Sequence, residues 1–266
     1  MYPYLTSTRN KLGTLYKRYV RRPFLTLEQL QADRPFTSEN TWRLLSKHCQ
    51  ELGRPPTVLE YGSGTSTYYH LLTLAACGGG RLVSVEHHLD WHRKMVRSFR
   101  RAFGPKRQAE RMWLDALGPP LELDYLYRPG HNLTGCGTHE ELREYVEAPR
   151  GSFDLVVVDG RARKACVRHV LDRGLLSDRG LLVLYEAGRG HPAWPVPSQR
   201  EGTWDYQPEV TEMLRRGGVM VHGTGVDHWS DWTRGGTPTP HFSRSYPMEA
   251  CFYWVNPGDR PQGLGG

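Results

Sequence analysis

The sequence predicts a doubly wound α/β fold whose mostly parallel sheet has seven strands. Short apolar segments alternate with longer segments that carry apolar residues at helical spacing, and this alternation is typical of βαβ units. Two of the apolar segments, residues 153–159 and 180–186, are hydrophobic nearly throughout, as strands are when helices cover both faces of a sheet. A single domain of this kind is compatible with a chain of 266 residues.

The predicted elements follow this alternation along the chain. The strands are residues 57–61, 82–86, 121–127, 153–159, 180–186, 219–221 and 249–255. The helices are residues 12–19, 37–49, 67–76, 90–103, 138–146, 165–176 and 209–216.

Start and stop signals support several of the helices. Thr37 and Ser38 can cap the second helix, and Gly53 with Pro55 ends it. The glycines at 78–80 stop the helix before the second strand. The next helix has an apolar stripe, formed by Trp91, Met95, Val96 and Phe99.

Composition changes divide the chain into a main domain and two ends. Residues 1–54 are expected to form a basic N-terminal extension with helices, residues 55–258 the α/β domain, and residues 259–266 a flexible tail. Two Gly/Pro-rich stretches, 187–208 and 223–247, are expected to be long loops on the substrate side of the sheet.

Charge and cysteine content restrict the classes of partner and compartment. The net charge of +7 favours anionic ligands, but no block of five like charges occurs, so nucleic acid is not the favoured partner. No apolar run approaches the roughly 18 residues of a membrane span. Five cysteines without CxxC spacing and the lack of a legible signal peptide predict a cytoplasmic protein. The sequence gives no indication of the oligomeric state.

The first strand ends in the most informative segment of the chain. Glu60 is followed by Gly62-Ser63-Gly64-Thr65-Ser66-Thr67, which opens directly into a helix. Glycines allow a tight turn and close approach of a ligand, and the helix start offers free N–H groups. Glu86 ends the next strand, where an acid can accept hydrogen bonds from the ribose of a nucleoside cofactor. Tyr68 stands where a dinucleotide fingerprint has its third glycine, so close approach of a pyrophosphate is not favoured.

These residues also have simpler interpretations, which the sequence leaves open. Gly62 and Gly64 could serve only the turn between strand and helix. Glu86 could be an exposed acid at a strand end. Asp159, which follows the fourth strand, could act only as the N-cap of the next helix.

Three motifs resemble those of class I S-adenosylmethionine-dependent methyltransferases. They are Glu60-x-Gly62-x-Gly64, Ser84-Val85-Glu86-His87 and Val157-Val158-Asp159-Gly160. The strings 62–67 and Asp159-Gly160-Arg161-Ala162-Arg163 resemble a bacterial branch of small-molecule or glycan methyltransferases, itself distantly similar to plant polysaccharide O-methyltransferases. The resemblance covers about residues 55–190 and the final strands.

The resemblance implies a Rossmann-like methyltransferase fold and S-adenosylmethionine as the cofactor. Residues 60–67 would contact its methionine moiety, Glu86 its ribose, and Asp159 would face the methyl-donor cleft. His87 would be a neighbour of the adenine. The positions that match cofactor-contacting residues are Glu60, Gly62, Ser63, Gly64, Thr65, Ser66, Thr67, Glu86, His87 and Asp159.

Candidate catalytic residues lie near the ends of neighbouring strands. A hydroxyl acceptor needs a base, and the candidates are Asp159, Glu186, His88, His131, His222 and His241. Arg161 and Arg163 could pair with surface acids, or hold an anionic substrate through their planar guanidinium groups. We expect no metal, although a divalent ion between Asp159 and Glu186 remains an alternative.

The sequence therefore predicts a methyltransferase that acts on oxygen of a small molecule or sugar. One alternative is a methyltransferase-fold protein that binds the cofactor and catalyses another reaction or none. The other is a nucleic-acid methyltransferase, which neither the charge pattern nor the motifs favour.

Overall fold

The computed structural model describes residues 39–103, 106–108, 110–114, 120–131, 135–187, 189, 201–221 and 250–260. These residues form a nine-stranded sheet with helices on both faces. The strands are β1 (Thr57–Tyr61), β2 (Gly80–Glu86), β3 (Lys106–Gln108), β4 (Arg111–Trp113), β5 (Leu121–Tyr127), β6 (Phe153–Val158), β7 (Leu176–Tyr185), β8 (Val219–Val221) and β9 (Ala250–Trp254). The helices are α1 (Glu39–Glu51), α2 (Thr65–Ala76), α3 (Leu89–Phe103), α4 (Arg143–Val146), α5 (Arg163–Asp172) and α6 (Gln207–Arg215).

The sheet reverses its direction of growth between two central strands. Its order is β3-β4-β5-β2-β1-β6-β7-β9-β8. The five strands β5, β2, β1, β6 and β7 are parallel, whereas the pairs β3–β4, β4–β5, β7–β9 and β9–β8 are antiparallel. From β1 the chain first builds outward through β2 and β5, and it then returns to the other side of β1 at β6. Open α/β sheets bind ligands at such a switch point, at the carboxyl ends of the strands.

Each face of the sheet has its own apolar core. Alternation along β6 directs Leu155 and Val157 to one face and Val156 and Val158 to the other. Helices α1, α2 and α3 cover the first face, and α4, α5 and α6 cover the second. The fold is therefore doubly wound, as predicted.

All seven predicted strands are present, and the sheet has two more. Strands β3 and β4 are only three residues each and largely polar in sequence, so they show no alternation that could be recognised. Arg111 of β4 and Arg81 of β2 both donate to Asp124 of β5. Two cations on one carboxylate thus link this added hairpin to the parallel sheet.

Two predicted helices differ by more than two residues at one end from those observed. The helix predicted at 165–176 ends at Asp172, and Leu176 already belongs to β7, because Gly174 at φ +59° ends the helix. Of the helix predicted at 138–146, only Arg143–Val146 is helical. The residues before it form a turn in which Thr138 N–H donates to the Glu141 carboxylate at 2.7 Å.

The predicted division at residues 54 and 258 stays a prediction. Leu45 and Cys49 of α1 are buried in the same core as α2 and the sheet. Asp259, in the predicted tail, forms an ion pair with Arg179 at 3.2 Å. The predicted helix 12–19 and the predicted loop 223–247 lie outside the described residues.

Candidate functional site

Two glycines meet at the switch point. Gly62 follows β1 with φ +91°, and a Cβ at this position would lie 2.4 Å from the Gly160 Cα. A Cβ on Gly160, which follows β6, would lie 2.1 Å from the phenolic oxygen of Tyr145. Both distances are impossible for real side chains. The two loops can therefore approach each other only because both positions are glycine.

Glu60 holds the loop that follows β1. Its side chain is fully buried and accepts hydrogen bonds from Ser66 Oγ at 2.6 Å, Thr67 Oγ1 at 2.7 Å and Ser84 Oγ at 2.6 Å. Thr67 Oγ1 also accepts from Gly64 N–H at 2.9 Å. The carboxyl group thus fixes the first turn of α2 to strands β1 and β2. The expectation that Glu60 itself contacts a cofactor stays a prediction.

Burial changes the ionisation of this network. It raises the pKa of Glu60 to about 7, and the three hydroxyl donors only partly offset that rise. The imidazole of His70 lies 3.8 Å from Glu60, but burial lowers the pKa of His70 to about 4. His70 is therefore neutral at pH 7 and supplies no positive charge to the carboxylate.

Gly64 differs from Gly62 in what surrounds it. Its φ of 179° is extended, and the nearest atom to a Cβ built there is Ser66 Oγ at 4.0 Å. Neither backbone strain nor packing within the described chain demands a glycine at this position. The space beside the Gly64 backbone, at the start of α2, is open to a ligand.

Glu86 is also engaged by the same loop. Its side chain is 3% exposed and accepts from Ser63 N–H and Oγ on one oxygen, and from His87 and His88 N–H on the other. Burial alone would raise the pKa of Glu86, but the His87 imidazole, the His88 N–H group and the Ser63 hydroxyl outweigh it, so the pKa is lowered. Ser63 Oγ lies 2.7 Å from the Tyr125 hydroxyl as well. Glu86 is thus ionised and tied to the loop that carries Gly64.

The two histidines after Glu86 occupy different surroundings. His87 lies with Nδ1 3.1 Å from Glu86 Oε1 and packs its ring edge against Tyr145 at 5.7 Å. His88 is exposed, and its Nδ1 accepts from Trp91 N–H at 3.3 Å in the first turn of α3. Because β1 separates β2 from β6, the structure does not group His88 with Asp159. The catalytic role expected of His88 stays a prediction.

Two carboxylates and two guanidinium groups lie beyond the ends of β6 and β7. Arg163 contacts Asp159 at 3.0 Å and Glu186 at 2.8 Å. Arg189 forms a second ion pair with Glu186. Arg163 also donates to the backbone oxygens of Asp159, Gly160 and Tyr185, so all of its nitrogen atoms have partners. Its expected pairing with acids is observed, and both of these acids are partly exposed.

The two carboxylates differ in acidity. Although 38% of the Asp159 side chain is exposed, the surrounding protein excludes enough water to raise the pKa of Asp159 to about 6, against the effect of Arg163. Burial would also raise the pKa of Glu186, but Arg163 and Arg189 together outweigh it, and that pKa is lowered. At neutral pH Glu186 is a fixed anion, whereas Asp159 can exchange a proton near pH 6.

Two aromatic rings and Arg161 complete this group. Arg161 donates to the backbone oxygen of Gly135 at 3.0 Å and lies over the Trp204 ring at 5.4 Å. Arg189 lies over the same ring at 4.4 Å and over the Tyr206 ring at 5.8 Å. Sequence reasoning missed Arg189, because no motif marks it. Its only signal was its place three residues after the strand-end acid Glu186.

The alternative of a divalent ion between Asp159 and Glu186 receives no support from this geometry. Arg163 already bridges the two carboxylates and balances their charge. A divalent ion would need these carboxylate oxygens as its own ligands. Among the residues that the structure describes, no three His, Cys, Asp or Glu side chains are grouped to hold a metal ion.

Cysteines and helices bear on the expected compartment. All five cysteines are free thiols, and Cys49, Cys136, Cys166 and Cys251 are buried. Within the described ranges, no helix combines the length and the apolar character that crossing a membrane requires. Cytoplasmic localisation stays a prediction.

Comparison with known proteins gives matches only at the level of structure. No protein-family model and no curated protein sequence matches the chain. The S-adenosylhomocysteine-bound methyltransferase PaMTH1 of Podospora anserina is 14% identical at a TM-score of 0.48, covering 96% of this chain and 98% of that one. The O-methyltransferase TomG of Streptomyces achromogenes, in complex with S-adenosylmethionine, is 15% identical at a TM-score of 0.46, covering 83% and 82%. An O-methyltransferase of Bacillus cereus is 14% identical at a TM-score of 0.46, covering 83% and 82%.

Proposed function

We propose that the chain is an S-adenosylmethionine-dependent methyltransferase that acts on oxygen of a small molecule. The observation that carries the proposal is the glycine crossing at the switch point. There Gly62 packs on Gly160, and the space beside the Gly64 backbone is open. This space lies between Glu86 and Asp159, the acids that follow or end the neighbouring strands. This is where a doubly wound sheet binds its ligand, and it is where the three methyltransferase-like motifs converge.

The cofactor would be held by the loop that follows β1. Its amino-acid end would lie along the backbone of residues 62–65, and Glu86 would accept from its ribose hydroxyls. Glu86 already accepts four hydrogen bonds, so a ribose would have to replace the donors from Ser63. The Tyr145 hydroxyl supports a polar ligand here, because it is buried next to Gly160 and has no hydrogen-bond partner in the described ranges.

The acceptor would be activated on the side of β6. When bound, S-adenosylmethionine supplies a methyl group on a sulfonium that needs no further activation, so the protein's main task is to orient the acceptor. Asp159 suits the remaining task, because a half-exposed carboxylate can take the proton of a hydroxyl. Arg163 holds Asp159 in place, and Glu186 keeps Arg163 from neutralising it fully.

Replacing Gly64 by valine tests the cofactor site. We expect the affinity for S-adenosylhomocysteine, measured by calorimetry, to fall at least about tenfold, because the side chain fills the space that the ligand needs. Gly64→Ala should have a smaller effect. The thermal midpoint of both variants should stay within a few degrees of the wild type, because the nearest atom to a Cβ at position 64 is 4.0 Å away. If Gly64→Val bound S-adenosylhomocysteine with unchanged affinity, the proposal that the cofactor binds at this loop would be rejected.

Replacing Asp159 by asparagine tests the proposed base. Turnover should fall about 100-fold while S-adenosylhomocysteine still binds, since a general base contributes on the order of 100-fold or more. In the wild type, kcat should decline as the pH falls below about 6, where Asp159 takes up a proton. Transfer of labelled methyl groups to a panel of phenols, hydroxy acids and sugars provides the readout.

Asp205→Asn, an exchange at the start of α6, is the matched control and should keep its turnover. Cofactor binding without transfer to any acceptor would favour a non-catalytic role.

A further inference from the structure

Arg189 is a buried cation whose donors are only partly used. Its side chain is 9% exposed, and among the described residues it forms an ion pair with Glu186, which it shares with Arg163. The Nε and Nη1 atoms are inaccessible to water and have no hydrogen-bond partner among the residues that the structure describes. A buried donor without an acceptor is destabilising, and more so when it is charged. The arrangement is complete only if something else accepts from these two nitrogen atoms.

Both backbone polar groups of Arg189 have hydrogen-bond partners. Arg189 N–H donates to Glu186 O at 3.0 Å. The Arg189 carbonyl oxygen accepts from Tyr206 N–H at 3.2 Å and from Gln207 Nε2 at 3.0 Å. Trp204 and Tyr206 flank the guanidinium at 4.4 and 5.8 Å.

The surrounding charges favour an anion. Within the described part of the chain, Arg161, Arg163 and Arg189 are grouped with two acids, Asp159 and Glu186, so these five side chains carry one positive charge in excess when both acids are ionised. Arg161 is partly exposed, and the one acceptor that the structure gives its side chain is the Gly135 carbonyl oxygen. Helix α5 begins beside these residues without a side-chain cap and without an acid in its first turn. Free N–H groups at a helix start add to the attraction of an anion.

We propose that Arg189 and Arg161, above the Trp204 ring, bind an oxyanion of the acceptor, a carboxylate or a phosphate. A guanidinium N–H group donates a charge-assisted hydrogen bond to an oxyanion oxygen, and carboxylates and phosphates can both accept it. The oxyanion would orient the acceptor with its hydroxyl toward Asp159. Naming the ligand as the acceptor rests on the proposed function, whereas the oxyanion site itself does not.

Binding of small charged and uncharged probes tests the site. Benzoate and phenyl phosphate represent the two oxyanions, and benzamide is the uncharged counterpart of benzoate. At least one of the anions should bind the full-length protein with a Kd at least about tenfold below that of benzamide, measured by calorimetry in the presence of S-adenosylhomocysteine. The stronger of the two anions identifies the class of acceptor.

Matched arginine variants locate the bound anion. Arg189→Met should weaken the preferred anion at least tenfold, and Arg161→Gln should weaken it at least threefold. Arg161→Gln keeps the proposal testable if Arg189→Met unfolds, because Arg161 is only partly buried. Arg216→Gln, at the exposed end of α6, removes the same charge elsewhere and should leave the affinity unchanged.

Two results would overturn the inference. One is equal affinity for benzoate, phenyl phosphate and benzamide, and the other is an anion preference that survives both Arg161→Gln and Arg189→Met. S-adenosylhomocysteine titrated into the same samples separates this failure from that of the proposed function. Cofactor binding without anion preference rejects the oxyanion site alone, and anion preference without cofactor binding rejects the methyltransferase alone.

Discussion

Glu60 combines deep burial with three hydroxyl donors. A carboxyl group without a cationic partner is costly to bury when ionised, and the nearby His70 is neutral at pH 7. Ser66, Thr67 and Ser84 can donate to an ionised carboxylate, and a rotated hydroxyl can accept from a protonated one. The proton on Glu60 therefore bears directly on how firmly the loop is held.

Glu60 makes stability depend on pH in a definite direction. Its folded pKa of about 7 lies above the ordinary value of 4.5, so the folded state binds the extra proton between these values. The contribution of Glu60 to stability is then fully present below about pH 4.5 and is lost as the pH rises through 7. Glu60→Gln resembles the protonated form. Its thermal midpoint relative to the wild type should therefore rise by several degrees between pH 5 and pH 8.

A control residue isolates this effect from the other titrating groups. Glu51, at the exposed end of α1, forms an ion pair with Lys47 at 3.5 Å. The difference between Glu51→Gln and the wild type should stay flat over the same pH range. If the Glu60→Gln difference were also flat, Glu60 would be ionised in the folded state at neutral pH, and the loop would be held by a charged group.

At the scale of elements, the contact between the loops after β1 and β6 shapes the proposed ligand site at the carboxyl ends of the strands. β1 and β6 pair in register, with Tyr61 opposite Val158, so Gly62 and Gly160 leave the sheet at the same level. Tyr145 of α4 closes the contact from the second face. Three separate elements are thus fixed at one point, and each excludes a larger residue on the others.

Gly160→Ala should destabilise the protein by roughly 2 kcal/mol or more, because the new methyl group would overlap Tyr145 and the Gly62 backbone. Chemical denaturation measures the loss. Gly64→Ala serves as the control and should change the free energy of unfolding by less than about 0.5 kcal/mol, since its surroundings are open. Equal stability of the two variants would show that the crossing relaxes easily.

Over the whole molecule, polar residues at the amino ends of the parallel strands differ in role from those at the carboxyl ends. Asp154, at the start of β6, accepts hydrogen bonds from Arg54, Thr57 N–H and Ser177. It therefore joins neighbouring segments at the amino ends of the strands, opposite the candidate site. Glu86, Asp159 and Glu186 stand at the carboxyl ends. The polar groups at the amino ends stabilise the fold, whereas the acids and the open backbone at the carboxyl ends are available to a ligand.

The sequence was sufficient to predict what depends on local patterns. Alternation of apolar segments indicated all seven main strands, and the glycine-rich loop indicated the switch point. The end of α5 was placed too late because its apolar spacing runs on past Gly174 into β7. The partners of Arg189 could not be predicted, since Trp204 and Tyr206 reach it only through the packing of α6 beside the sheet. The same holds for Glu60, whose pKa follows from burial on all sides.

The bonds of Arg163 have a consequence for which residues position 163 tolerates. Its Nε, Nη1 and Nη2 atoms each donate to a different backbone oxygen, at 3.0, 2.8 and 2.8 Å, while the same group meets two carboxylates. An ammonium carries the same charge but has only three N–H bonds, which diverge from a single nitrogen atom. Lysine at 163 would leave some of these oxygens without a donor. Charge-conserving exchange is therefore a poor guide to tolerance here, and a library of variants should retain arginine alone.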